Sequence, residues 1–220
     1  MTNILTSETV KEYGYSAGAN VVGIASSKDF VSSPDGFNPR DYLEGCLSVV
    51  VLGATFSKEV LNDVNEYTAS RNAMLTGMTD MAKKVAKKIK ADGYNTKAIS
   101  ASGGKTINGK QYGPISLKHA AELAGLGIIG RNYLLTNPQY GNLLWLSAIL
   151  TDAALVPDEK MQDKLCDNCN KCVDICPSGA LNDLSDFGRK ECAQFFKIEN
   201  KKFVIKCFLC RTVCPYRFGK

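Results

Sequence analysis

Apolar residues recur at two different spacings in the first part of the chain, and both helices and strands follow from them. Ser7–Ala17 predicts a helix, and the apolar run Val21–Ala25 a short strand. Leu47–Leu52, which reads LSVVVL, is rich in β-branched residues and predicts a buried strand. Val60–Ala91 carries Met74, Leu75, Met78, Met81, Val85 and Ile89 at helical spacing, with Gly93 as its stop. Thr96–Ser100 and Leu143–Leu150 predict further strands, and Ser116–Ala124 a helix capped by Ser116. Phe30–Arg40 contains Pro34, Gly36 and Pro39 and reads as loop. Ser102–Gly113, with four glycines, reads as an exposed loop.

The pattern changes near residue 152. Cysteines, short elements and many charges follow, so a boundary is expected within Thr151–Lys164, giving domains 1–155 and 156–220. The one repetition lies in the second domain, where C-x3-C-P occurs at Cys172–Pro177 and again at Cys210–Pro215. With 45% hydrophobic and 22% charged residues in 220, the chain can bury a sizeable core and is not a disordered type. The net charge of +5 permits an acidic partner without requiring one. Lys83, Lys84, Lys87, Lys88 and Lys90 on the long helix read as a solvated face. Met1–Gly18 has no apolar signal core, and no apolar run approaches the roughly 18 residues of a membrane span. A cytoplasmic protein without a membrane partner is expected.

Eight of the nine cysteines fall between Cys166 and Cys214. In a cytoplasmic chain, such close gaps read as metal ligands. Cys166-x2-Cys169-x2-Cys172-x3-Cys176-Pro177 has the spacing of a bacterial ferredoxin run, whose fourth cysteine serves the other cluster of a pair. Each iron of a cubane needs one thiolate, and a tight loop with a ligand at every third residue wraps three corners. By that crossover logic Cys166, Cys169, Cys172 and Cys214 hold one [4Fe–4S] cluster, and Cys176, Cys192, Cys207 and Cys210 the other. Zinc on two C-x2-C pairs is the competing assignment, but it would strand several thiolates. Cys46, alone before the buried strand, reads as a small buried hydrophobe.

Two motifs fail on context. Gly125-Leu-Gly127-Ile-Ile-Gly130 spells a dinucleotide fingerprint, yet it follows a predicted helix rather than a strand. Ser102-Gly-Gly-Lys-Thr106 lacks the first glycine of a phosphate loop, because that position is Ile99.

Pro114–Asn132 (PISLKHAAELAGLGIIGRN), Leu135–Gly141 (LTNPQYG), Ile149–Asp152 and the cysteine pattern together resemble epoxyqueuosine reductase and, more distantly, the reductive dehalogenases. Tyr42–Phe56 is similar to a strand region of the same family. The resemblance implies an α+β protein. An N-terminal α/β, nitroreductase-like domain would bind cobalamin, and a C-terminal ferredoxin-like domain would carry two [4Fe–4S] clusters. It places the corrinoid against two loops, through Gly125, Gly127, Gly130, Asn132, Asn137 and Gly141, where bare backbone suits a large planar ring. His119, the only histidine, lies on a predicted helix and reads as a packing group rather than a cobalt ligand.

Three departures from the family's patterns matter. Gln111 replaces the family's acidic proton donor, and an amide is no general acid at neutral pH. The helical-repeat region that helps hold tRNA is absent after the last cysteine, and no twin-arginine signal of the respiratory dehalogenases is present. Tyr112 is the candidate substitute donor. The implied activity is a cobalamin-dependent reductase acting on a small molecule, fed by a ferredoxin- or flavodoxin-type donor. The alternative is an electron-transfer or reductive-activation partner of another corrinoid protein, with no substrate of its own. Nothing specific supports a third option, a flavin.

Overall fold

The computed structural model describes residues 4–101, 104–107, 110–162, 164–167, 169–183, 189–199 and 202–220. Its centre is a four-stranded sheet in the order β1-β2-β8-β3, formed by β1 (Val21–Ser26), β2 (Ser48–Thr55), β3 (Thr96–Ile99) and β8 (Leu144–Thr151). All three pairings are antiparallel, and β2 faces β8 along its whole length, from Ser48 opposite Thr151 to Thr55 opposite Leu144.

Strand alternation sorts the side chains of β2 and β8 onto two faces. Val50, Leu52 and Ile149 join Val22 and Ile24 under α1 (Ser7–Ser16) and α2 (Val64–Ala91), whose Val10, Met78, Ala82, Val85 and Ile89 fill that side. Val49, Val51, Ala148 and Leu150 face the other way, against Ala120, Ala121 and Ala124 at α3 (Leu117–Leu123). Burial on both faces explains why Val49–Leu52 is apolar throughout rather than alternating, whereas Leu47, expected in the buried strand, stands before β2 and is exposed.

Caps set the helix starts. The Asp63 carboxylate accepts from the Asn65 and Glu66 N–H groups, so α2 begins at Val64 and a 3-10 turn, Lys58–Asn62, takes the residues before it. Helix α3 starts after Ser116, as its sequence suggests. Gly93, at φ +97°, ends α2 in the left-handed region that glycine tolerates.

The expected loop Ser102–Gly113 contains a hairpin instead, with β4 (Lys105–Ile107) pairing β5 (Lys110–Tyr112) antiparallel. The glycines hide two short strand-capable triads. One of them, Gly104, lets the strands close, since a Cβ there would stand 1.8 Å from the Tyr112 carbonyl oxygen. Short pairs β6 (Ile128–Ile129) and β7 (Leu135–Thr136) carry the loops after α3.

The polar stretch after β8 stays fastened to the first unit before the cysteines begin. Asp158 exchanges bonds with Ile24 through its N–H and carboxylate and pairs with Lys11 at 2.5 Å, while Ser7 bonds both backbone groups of Val156. The cysteine segment follows as α4 (Lys171–Asp174), α5 (Arg189–Ala193), the hairpin of β9 (Phe196–Glu199) and β10 (Lys202–Ile205), and α6 (Leu209–Thr212). It docks on the sheet's end through a third apolar cluster. There Ile205 and Phe208 meet Phe56, Leu61, Tyr67 and Leu143, with the Tyr67 and Phe208 rings stacked at 4.5 Å. The Thr68 hydroxyl bonds both backbone groups of Ile205.

Candidate iron–sulfur and cofactor site

Short helices bring the cysteines together in two groups. Helix α4 carries Cys172, α5 carries Cys192 and α6 carries Cys210. Cys166, Cys169, Cys172 and Cys214 line one small opening, with Gly130, Arg131, Asn132 and Thr136 also lining it. Cys176, Cys192, Cys207 and Cys210 are one another's electrostatic neighbours. In each group the cysteine before a proline joins the other run's residues. None of the nine cysteines is in a disulfide. Among the described residues, no three His, Cys, Asp or Glu side chains close on a single-ion position.

The two groups differ in environment. Burial pushes Cys172 up from the ordinary thiol range, helped by the nearby Cys166, Cys214 and Cys169. Burial also raises Cys214. In the second group burial raises Cys192 and pushes Cys210 up to about 12, the latter against the favourable charge of Arg211. Cys176 goes the other way. Burial would raise it, but the Ser178 hydroxyl and the backbone N–H groups of Ser178, Ala180 and Leu181 hold the thiol below its ordinary value. A ligand must shed its proton to bind metal, so loading the buried thiols releases protons.

Donors already face the first group. The Arg131 backbone N–H lies 3.5 Å from Cys166 Sγ, and Arg131 Nε is buried with no partner among the described residues. A sulfide or thiolate acceptor in the opening would satisfy it, so the residues present fit an iron–sulfur cluster.

A second cavity, about 180 Å³ and open to solvent, lies beside α6, the helix of Cys210. Leu117, Leu134, Leu135, Leu144, Leu146 and Trp145 form apolar walls, and Lys118, Asn142 and Arg211 supply its polar groups. Lys118 and Arg211 also act on the thiols of Cys192 and Cys210, so one wall serves both the cavity and the second sulfur group.

The glycine loops are placed differently from a bare cradle. A Cβ at Gly125 would meet the Glu159 carbonyl at 2.3 Å, one at Gly127 the Thr136 carbonyl at 2.3 Å, and one at Gly141 the Arg217 carbonyl at 2.2 Å. The protein's own backbone fills those spaces. Gly130 and Asn132 border the first sulfur group rather than the second cavity. Asn132 Nδ2 donates to the Cys210 carbonyl at 3.1 Å, and Asn137 Nδ2 to the Leu126 carbonyl at 2.7 Å.

Tyr112 ends β5 with its ring 5.4 Å from that of Phe37, and it is not among the residues lining the second cavity. Its strand contacts α5, the helix of Cys192. The Gln111 side chain lies outside the described residues. His119 Nδ1 sits 2.6 Å from the Ser116 hydroxyl at the start of α3, exposed to solvent. Cys46 is 1% exposed within the core, and burial raises its thiol. Sequence reasoning passed over Lys118, Arg131, Asn142 and Arg211. The one available signal was position, since Arg211 stands between two cysteines and Asn142 follows Gly141.

Comparison with known proteins places this geometry in context. The 4Fe–4S binding domain family matches residues 162–182, so the cysteine segment is an iron–sulfur binding module. Epoxyqueuosine reductase of Bacillus subtilis (strain 168) is 33% identical over 121 residues, covering 49% of this chain and 31% of that protein. The match thus spans about a third of the relative's length. A crystal structure of epoxyqueuosine reductase with a modified tRNA-Tyr stem loop superposes with a TM-score of 0.66 at 18% identity, covering 97% of this chain and 65% of that one. The catabolic reductive dehalogenase NpRdhA gives 0.72 at 22%, over 96% of this chain and 31% of that one. These structures share the fold.

Gly141 offers a direct check of how the loop meets the cysteine segment. At φ +56° and with Arg217 in front of it, Gly141→Ala should lower stability by about 1–3 kcal/mol. Anaerobic urea unfolding, read as a lower midpoint, measures it.

Proposed function

We propose that this chain, as a member of the epoxyqueuosine reductase and reductive dehalogenase family, holds two [4Fe–4S] clusters and passes low-potential electrons to a cobalamin that reduces a small substrate. The observation that carries this reading is the shared wall. Lys118 and Arg211 belong both to the second cavity and to the surroundings of Cys192 and Cys210. Arg211 lines the cavity and is the residue next to Cys210 on α6, so the cavity and the second cysteine group share that helix. Cys169, the exposed cysteine, turns the first cluster toward solvent and toward a ferredoxin- or flavodoxin-type donor. Among the described residues no helix is long and apolar enough to cross a membrane, and the cytoplasm is the proposed place of work.

The cavity fits part of a corrinoid. Its leucine walls and the Trp145 indole suit an apolar ring face, and its open side admits a ring larger than the cavity. When bound, cobalamin would supply a cobalt centre able to transfer electrons to substrate. The protein's own residues do the positioning. Leu117, Trp145 and Leu146 exclude water, Lys118 and Arg211 present positive charge, and Asn142 fixes the wall by donating to the Arg211 carbonyl at 3.2 Å. Gly125, Gly127 and Gly141 let backbone close against them, Gly130 and Asn132 border the first sulfur group and Asn137 ties its loop to Leu126, so none of the six lines the cavity proposed for the cofactor. Gln111, in place of a carboxylic acid, favours the second reading, a redox partner for another corrinoid protein.

Four outcomes check this. Anaerobically purified protein should be brown with about eight irons, two cubanes' worth. Cys172→Ser and Cys214→Ser should disturb the same cluster signal, and Cys176→Ser and Cys192→Ser the other; a colourless protein with stoichiometric zinc ends the proposal. Added cobalamin should be retained stoichiometrically with a shifted absorption band, whereas clean cluster reduction without retention selects the redox-partner reading. Tyr112→Phe should lower turnover at least tenfold at unchanged iron content if the tyrosine delivers the proton, and unchanged turnover removes it from the mechanism.

A further inference from the structure

Arg211 is 5% exposed, yet among the described residues its guanidinium has no carboxylate partner. One nitrogen reaches the Asn142 side-chain oxygen at 3.4 Å. The rings of Phe56 and Tyr67 stand 5.7 and 5.8 Å away, adding cation–π attraction. Two rings and a long amide bond do not balance a buried charge, which normally demands a counter-charge. Arg211 directly follows Cys210 on α6, so the sulfur site that α6 helps to build lies beside it. Four thiolates and a cubane are dianionic when oxidised and gain one more negative charge on reduction. A fixed cation in a poorly solvated wall therefore favours the reduced form.

We propose that Arg211 raises the reduction potential of the cluster on Cys176, Cys192, Cys207 and Cys210, so that electrons collect beside the cavity. The inference rests on the cluster reading above. The other site has a cation of its own, Arg131, on a wall of its opening, but that site is more open to water. Cys169 there is exposed, so water screens its charges, and the Arg217 guanidinium lies in a half-buried position on the Cys214 side. The step is a single electron transfer. The outer cluster, reduced by the external donor, is oxidised, and the inner cluster is reduced, with no bond made or broken. Arg211 is a positioning residue in this scheme, acting on the potential through the cluster.

The test uses the full chain, purified anaerobically, with iron content measured first and both couples then followed by redox titration under EPR. Cys169→Ser identifies the outer signal. In Arg211→Met and Arg211→Gln the inner couple should fall by at least about 59 mV, a tenfold change in its reduced-to-oxidised ratio, while the outer couple stays in place. Arg211→Lys, which keeps the charge, should stay near wild type. Unchanged inner midpoints in both neutral variants, or a lysine variant that falls as far as they do, would overturn the proposal. Iron loss in the neutral variants but not in Arg211→Lys supports it, because charge is then what holds the cluster. Iron loss in all three overturns it, because shape is then the requirement. A wild-type protein without clusters sinks the functional reading itself, a separate result.

Discussion

The whole arrangement depends on fastening the last cysteine stretch to the sheet. Two buried amides do most of this. Asn132 donates to the Cys210 carbonyl and Asn142 to the Arg211 carbonyl, so consecutive peptide groups of α6 are gripped from two different loops. The Asn142 N–H also bonds the Arg217 carbonyl, and the Lys220 N–H bonds that of Pro138. Each such bond contributes only about 0.5–1.5 kcal/mol net, but a buried carbonyl left without a donor costs about 1–3 kcal/mol. The set therefore specifies one docked position and penalises the alternatives.

That docking gives the two sulfur groups unequal surroundings. The first opens to water at Cys169 and meets the backbone of the Gly130–Asn132 loop. The second is built partly on α6, which follows Phe208 of the aromatic cluster, and burial raises the thiols of Cys192 and Cys210 there. Cations accompany both groups, but those of the second also face the cavity. The same sequence pattern thus yields one site suited to exchange with solvent-borne partners and one suited to an enclosed ligand.

Much of this was legible beforehand. Runs such as LSVVVL and the methionine stripe of α2 gave strand and helix because their periods are local properties of the chain. The cysteine grouping could be read because the spacing of a cubane's ligands is itself a geometric statement. The β4–β5 hairpin was missed because its strands are three residues long and set among glycines. The glycines of Gly125–Gly141 were visible, but what stands before them was not, since the Glu159, Thr136 and Arg217 carbonyls arrive from elsewhere in sequence. Arg211 escaped for a similar reason. An arginine between two cysteines looks solvent-bound until the fold places Phe56 and Tyr67 around it.

The exchange of Cys176 and Cys214 between the groups has a consequence for biogenesis. The first quartet is complete only once Cys214 has left the ribosome and the second once Cys210 has, and neither can be assembled from the first cysteine run alone. Loading of either proposed cluster would accordingly wait on the last cysteine run.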